Sequence, residues 1–87
     1  MTNDEIAATV NRAIAEEFEL APERLRPEAH IRDDLGLDSL DIVDLVIVIE
    51  KAFGFKLTNR EAMMDIRTLG DIHAFIAALR DKGEAGA

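Results

Sequence analysis

The 87-residue chain contains no cysteine, which rules out a disulfide framework and any thiol of its own. Basic residues are scarce: 10 Lys and Arg stand against 18 Asp and Glu, a formal charge of -8. Nucleic-acid phosphates demand a positive footprint, so this balance argues against DNA or RNA as a partner. It favours proteins with basic patches, found by electrostatic steering. No uninterrupted apolar run approaches the ~18 residues that a membrane span needs. The N-terminus shows no basic stretch followed by an apolar core, so no secretory signal is read there. The expectation is a cytoplasmic monomer. Proline occurs twice, at Pro22 and Pro27, and serine once, at Ser39. A chain of this length makes one domain with a small core. Residues 1–82 are expected to form it, with 83–87 as a flexible tail.

Thr2 and Glu5 stand at capping-box spacing. Behind them Ile6, Val10, Ala13, Ile14 and Phe18 recur on one helical face, which predicts a first helix over 3–18. Residues 19–38 then form a long connection that the two prolines bar from continuous helix. Pro22 to Leu25 can make one helical turn, with proline in its first position. Leu20, Leu25, Ile31, Leu35 and Leu37 are expected to anchor the connection. Gly36 is expected to supply a backbone angle that side chains resist. Long loops in small domains are often functional, and this one leads to Ser39.

A second helix is predicted over 39–53. Its β-branched residues favour a strand locally. Yet Leu40 to Phe53 holds no glycine, proline or turn signal, and fourteen such residues suit a helix better. Gly54 is placed to end it. Ile42, Leu45, Val46, Ile49 and Phe53 make an inner face. Leu40, Val43 and Ile47 make a second apolar stripe beside Asp41 and Asp44. Two readings stay open for that stripe: a helix enveloped on both sides, or an exposed docking face ringed by carboxylates.

Phe55 and Leu57 are expected to anchor a further loop. Thr58 or Asn59 can cap a short third helix through about Asp65. Its Met63 and Met64 either fill the core or line an adjustable cavity. Thr68 and Asp71 repeat the capping spacing and open a fourth helix. Leu69, Ile72, Phe75, Ile76 and Leu79 form its inner face, Arg80 and Lys82 sit at its negative end, and Gly83 stops it. The fold class is all-α, with four helices, a long first connection and a short third helix.

Asp38 suits an N-cap, which puts Ser39 at the first helical position. Phosphate is electrostatically favoured at such a helix start. A serine nucleophile needs a base, and the histidines are His30 and His73, both expected at the surface. His30, in the long loop, can approach Ser39, but no G-x-S-x-G elbow is present. Asp33, Asp34, Asp38, Asp41 and Asp44 crowd together without the spacing of a calcium loop. They imply mutual repulsion and loose divalent-cation binding rather than a dedicated metal site.

The string Asp33-Asp34-Leu35-Gly36-Leu37-Asp38-Ser39-Leu40-Asp41, with an acidic-apolar helix behind it, resembles the attachment site of the acyl carrier protein family. The resemblance runs from about Ile6 to Leu79. It implies a four-helix acyl-carrier bundle in which Ser39 bears 4′-phosphopantetheine, transferred from coenzyme A by a phosphopantetheinyl transferase. The arm's thiol, which this chain cannot supply, would hold acyl groups as thioesters for acyl-transferring and condensing enzymes of fatty-acid, lipid or polyketide-type biosynthesis. The chain would be a carrier and not an enzyme. Asp38 would place Ser39 and attract the Mg²⁺ used in transfer, and Leu40 would contact the transferase. Asp41, Val43, Asp44 and Ile47 would form the partner face.

Two alternatives remain: an aminoacyl or peptidyl carrier, and an acidic helical interaction module that is never modified. Peptidyl carriers often show L-G-G-H/D-S, so Leu37 favours the acyl type. One departure stands out. Housekeeping carriers open the third helix with proline and carboxylates, whereas Leu57 to Asp65 places Arg60, Met63 and Met64 there, with Lys51 and Lys56 nearby. The expectation is a specialised carrier whose partner surface includes Arg60, against ordinary divergence of a housekeeping one.

Overall fold

The structure, a computed structural model, describes residues 2–56 and 65–81. Among them the order is α1 (Asn3–Phe18), a single 3-10 turn (Pro22–Arg24), α2 (Ser39–Phe53) and α3 (Leu69–Asp81). The fold of the described residues is all-α, and α3 is the expected fourth helix. The expected short third helix, with Arg60, Met63 and Met64, lies outside the described residues, as do Lys82, Gly83 and the tail.

Each helix starts where side chains satisfy free backbone N–H groups. At α1 the Thr2 hydroxyl accepts from the Glu5 amide at 3.1 Å, and the Glu5 carboxylate accepts from the Thr2 amide at 2.8 Å. Thr68 and Asp71 repeat this reciprocal pair before α3, at 3.2 and 3.1 Å. Backbone donors hold both carboxylates below the usual range: that of Thr2 for Glu5, and those of Thr68 and Arg67 for Asp71. At the far end of α2, Gly54 takes φ +73, the left-handed value that glycine adopts without a steric penalty.

The core lies between the three helices, with α1 packed against both α2 and α3. Ile6, Val10 and Ile14 of α1 meet Leu45, Val46 and Ile49 of α2 and Leu69, Ile72 and Ile76 of α3, all buried. Fully burying each such side chain is worth about 1.5–3 kcal/mol. That gain overrides the strand propensity of the β-branched run in α2. The outer stripe of α2 stays uncovered: Leu40 is 78% exposed, Val43 52% and Ile47 40%. An α2 enveloped on both sides is therefore not what the described residues form.

The long connection is anchored rather than slack. Leu25, Ile31, Leu35 and Leu37 are all buried, joined by Ala29. Residues 27–31 run beside the entry to α3. Gly70 N–H donates to Pro27 O at 2.7 Å, Leu69 N–H to Ala29 O at 3.0 Å, and Ile31 N–H to Arg67 O at 2.8 Å. His73 does not lie on the surface as expected. It is half-buried in α3, because the α1–α3 packing sets it beside Asn11. Burial pushes its pKa down.

Candidate functional site at the start of α2

The residues before α2 form a tight knot. Leu35 N–H donates to His30 O at 3.0 Å, Gly36 N–H to Arg32 O at 3.1 Å and Leu37 N–H to Ile31 O at 3.0 Å. Gly36 sits at φ +72, as its place in the sequence suggested. The Asp34 carboxylate accepts the His30 amide at 2.6 Å, and Arg24 donates to the Asp34 carbonyl. Buried Leu35 and Leu37 pin this knot to the core, so the chain enters α2 from a fixed direction.

Asp38 is the N-cap. One of its carboxylate oxygens accepts from the Leu40 and Asp41 amides, each at 3.0 Å. The Asp41 carboxylate returns the bond to the Asp38 amide at 3.1 Å. Aspartate thus fills the place where this motif usually has Glu or Gln, as Asp71 does before α3. Asp41 is half-buried and Asp44 exposed. Asp34, Asp38 and Asp41 are each turned onto a backbone donor, and Asp33 lies 3.6 Å from His30 Nδ1. Among the described residues, no three acidic or histidine side chains converge into a set that would hold a metal.

Ser39, the first residue of α2, is exposed. The Arg32 guanidinium donates to its hydroxyl at 3.3 Å. Beside it opens a cleft of about 280 Å³, lined by His30, Ile31, Arg32, Leu37, Ser39, Ile42, Ile66 and Arg67. His30 does share this cleft with Ser39. The group within hydrogen-bond distance of the hydroxyl is nevertheless an arginine, which stays protonated and cannot act as a base. Asp38, Ser39 and Leu40, the expected site residues, stand together at the start of α2, and the cleft adds Arg32, Arg67 and Ile66, which sequence reasoning did not name. Arg32 reaches Ser39 across an irregular loop and Arg67 arrives from another segment, so no helical or strand period marks them. The expected partner residues Asp41, Val43, Asp44 and Ile47 share α2 with this site, whereas Arg60 lies outside the described residues.

A helical bundle that presents one serine at a capped helix start, beside cations and an open cleft, has the form of a carrier domain. The family described as "Phosphopantetheine attachment site" matches residues 8–76, and the chain belongs to it. Acyl carrier protein 2 of Ralstonia nicotianae is 35% identical over 79 residues, which span 91% of this chain and 96% of that protein. An acyl carrier protein of Thermosynechococcus vestitus is 36% identical over 76 residues, spanning 87% and 93%. The protein is accordingly a carrier of the acyl type and not an enzyme, and its prosthetic group is 4′-phosphopantetheine. Carriers of this family work with phosphopantetheinyl transferases and biosynthetic enzymes. No described helix is long and apolar enough to cross a membrane.

Proposed function

We propose that Ser39 carries the phosphopantetheine arm and that the outer stripe of α2 is the face against which partner enzymes dock. One observation carries this reading: the chain's single serine is exposed at the start of α2, with Arg32 at 3.3 Å and an open cleft alongside. The residues present fit the group. An exposed hydroxyl is accessible to a transferase, and a guanidinium suits the incoming phosphate. The Asp38 carboxylate is committed to the Leu40 and Asp41 amides and therefore fixes the backbone that carries Ser39.

In the transfer, the Ser39 hydroxyl gives its proton to a base of the transferase. Its oxygen forms a bond to phosphorus as the pyrophosphate bond of coenzyme A breaks and the nucleotide half leaves. When bound, the arm supplies a tether and the thiol that this chain lacks. Need for coenzyme A beside the transferase assigns the protein to the cytoplasm, and we take it to act as a monomer.

Partners would meet Leu40, Val43 and Ile47 flanked by Asp41 and Asp44, which suits acyl-transferring and condensing enzymes with basic patches. The far end of the stripe differs. Ile47 borders a shallow cleft shared with Lys51 and Lys56. An acidic start and a far end where Lys51 and Lys56 offset Glu50 support a specialised lipid or polyketide-type pathway, because a partner built for a continuous acidic strip meets like charge at the lysines. Arg60 would extend that contrast.

Intact mass after incubation with coenzyme A and a broad-specificity transferase tests the attachment. The wild type should gain one arm and Ser39→Ala none. An equal gain in the alanine variant would sink the reading. For the pathway, the loaded protein is offered to a reconstituted housekeeping elongation system. Slow elongation, recovered by Arg60→Glu with Met63→Glu, is the expected result.

A further inference from the structure

We propose that Arg32 and Arg67 hold the phosphodiester at the root of the arm and so direct the arm along the cleft beside Ser39. The inference rests on Ser39 as the attachment point and concerns what this chain does with the group once attached.

The two arginines come from different segments that the fold ties together. Ile31 N–H donates to Arg67 O at 2.8 Å, and His30 and Thr68 form an antiparallel bridge on either side of that bond. Both arginines line the cleft that opens at Ser39. Arg32 already contacts the Ser39 oxygen at 3.3 Å. Phosphorus attached there stands one bond further out, which brings its charged oxygens within reach of the same guanidinium. A guanidinium fork matches two phosphate oxygens at once.

Charge supplies the reason for such a pair. The phosphodiester would add a negative charge to a chain already at -8, next to Asp33, Asp34, Asp38 and Asp41. These carboxylates offer it no hydrogen-bond donor, and their repulsion would drive the arm outward. Arg32 and Arg67 are the two guanidinium groups that line the cleft, and they offset part of this charge where the phosphate would sit. Beyond the arginines the cleft is lined by Ile31, Leu37, Ile42 and Ile66, so a root held here would lay the next part of the arm over apolar side chains.

The experiment compares apo and holo protein by NMR, with intact mass confirming attachment in every sample. In the wild type, the side-chain N–H signals of Arg32 and Arg67 should shift on loading, and the phosphorus resonance should differ from that of the same holo protein unfolded in urea. In the Arg32→Gln, Arg67→Gln variant the phosphorus resonance should move toward the position seen in the unfolded holo protein. Loading should also raise the urea midpoint of the wild type more than that of the variant. Unmoved arginine signals in fully loaded wild type would overturn the proposal while leaving Ser39 in place. The wild-type comparison decides this even if the variant loads poorly. Absence of any mass gain in the wild type would instead overturn the attachment reading, and this inference with it.

Discussion

Asn11 of α1 and His73 of α3 stand 62 positions apart in sequence and meet at 2.9 Å, amide oxygen to Nε2. The amide nitrogen of Asn11 in turn donates to Leu25 O at 3.4 Å, which orients the side chain. With an oxygen as its partner, Nε2 carries the proton. The half-buried ring therefore ties two helices and the connection between α1 and α2 at one point.

This contact predicts an acid-sensitive fold. Burial lowers the folded-state pKa of His73 below the ordinary 6.5. The unfolded chain then binds the proton more readily, so the contribution to stability is present above 6.5. It is lost as pH falls through that value to the folded pKa. Urea midpoints should fall more for wild type than for His73→Gln across that window; parallel curves would refute the assignment. A second loss should begin below about 4.5 and 3.8, the ordinary values of Glu5 and Asp71, whose folded pKa values are both lowered.

Leu40 and Leu45 are predicted to behave oppositely though only five positions separate them. Leu45 is 1% exposed, and Leu45→Ala should cost about 2–5 kcal/mol through lost transfer energy and a cavity. Leu40 is 78% exposed, and Leu40→Ala should change stability by less than about 0.5 kcal/mol. The same Leu40 variant should be modified more slowly by the transferase. Chemical denaturation and modification rates measured on both variants check the contrast.

Capping and steering can be separated within one turn of α2. Asp38→Ala removes the acceptor of two amides and should cost about 1 kcal/mol. Asp41→Lys would mix effects, because Asp41 also accepts the Asp38 amide. Asp44 is exposed and outside the cap, so Asp44→Lys should leave the urea midpoint in place. It should slow association with the transferase and flatten its dependence on salt. Stopped-flow rates at several salt concentrations that match wild type would place the docking face elsewhere.

Two glycines should fail for different reasons. A Cβ at Gly70 would lie 2.9 Å from the Pro27 carbonyl oxygen. That oxygen cannot swing away without losing its 2.7 Å bond from the Gly70 amide. Gly70→Ala should therefore cost about 1–3 kcal/mol by overpacking. At Gly36 no atom lies within 4 Å of the added carbon, but φ is +72. Gly36→Ala should cost about 1 kcal/mol through backbone strain alone. Thermal melts of both variants, with equal losses ruled in or out, test the distinction.

Much of this was legible in the order of residues. Thr2 with Glu5 and Thr68 with Asp71 mark helix starts because both partners of a capping bond lie three residues apart. The same locality made Asp38, Gly36 and Gly54 readable, and it set Ser39 at the first position of α2. The family string around Ser39 carried the functional reading further than the physics of a lone cap could. One judgement went less well: His73 was expected at the surface and is half-buried beside Asn11.

What the sequence by itself determined is local: helix limits, caps, the buried stripe at i, i+3 and i+4, and a serine delivered by an anchored loop. Hydrogen bonds three or four residues long and a fixed helical period need no knowledge of the rest of the chain. Only the tertiary structure decided whether Leu40, Val43 and Ile47 are covered, since that depends on where the other helices pack. It alone brought Arg67 to the cleft beside Ser39, Asn11 to His73 and Pro27 against Gly70. Those pairs are joined by loops whose path is set by burial of Leu25, Ile31, Leu35 and Leu37, and no period in the sequence encodes such a path.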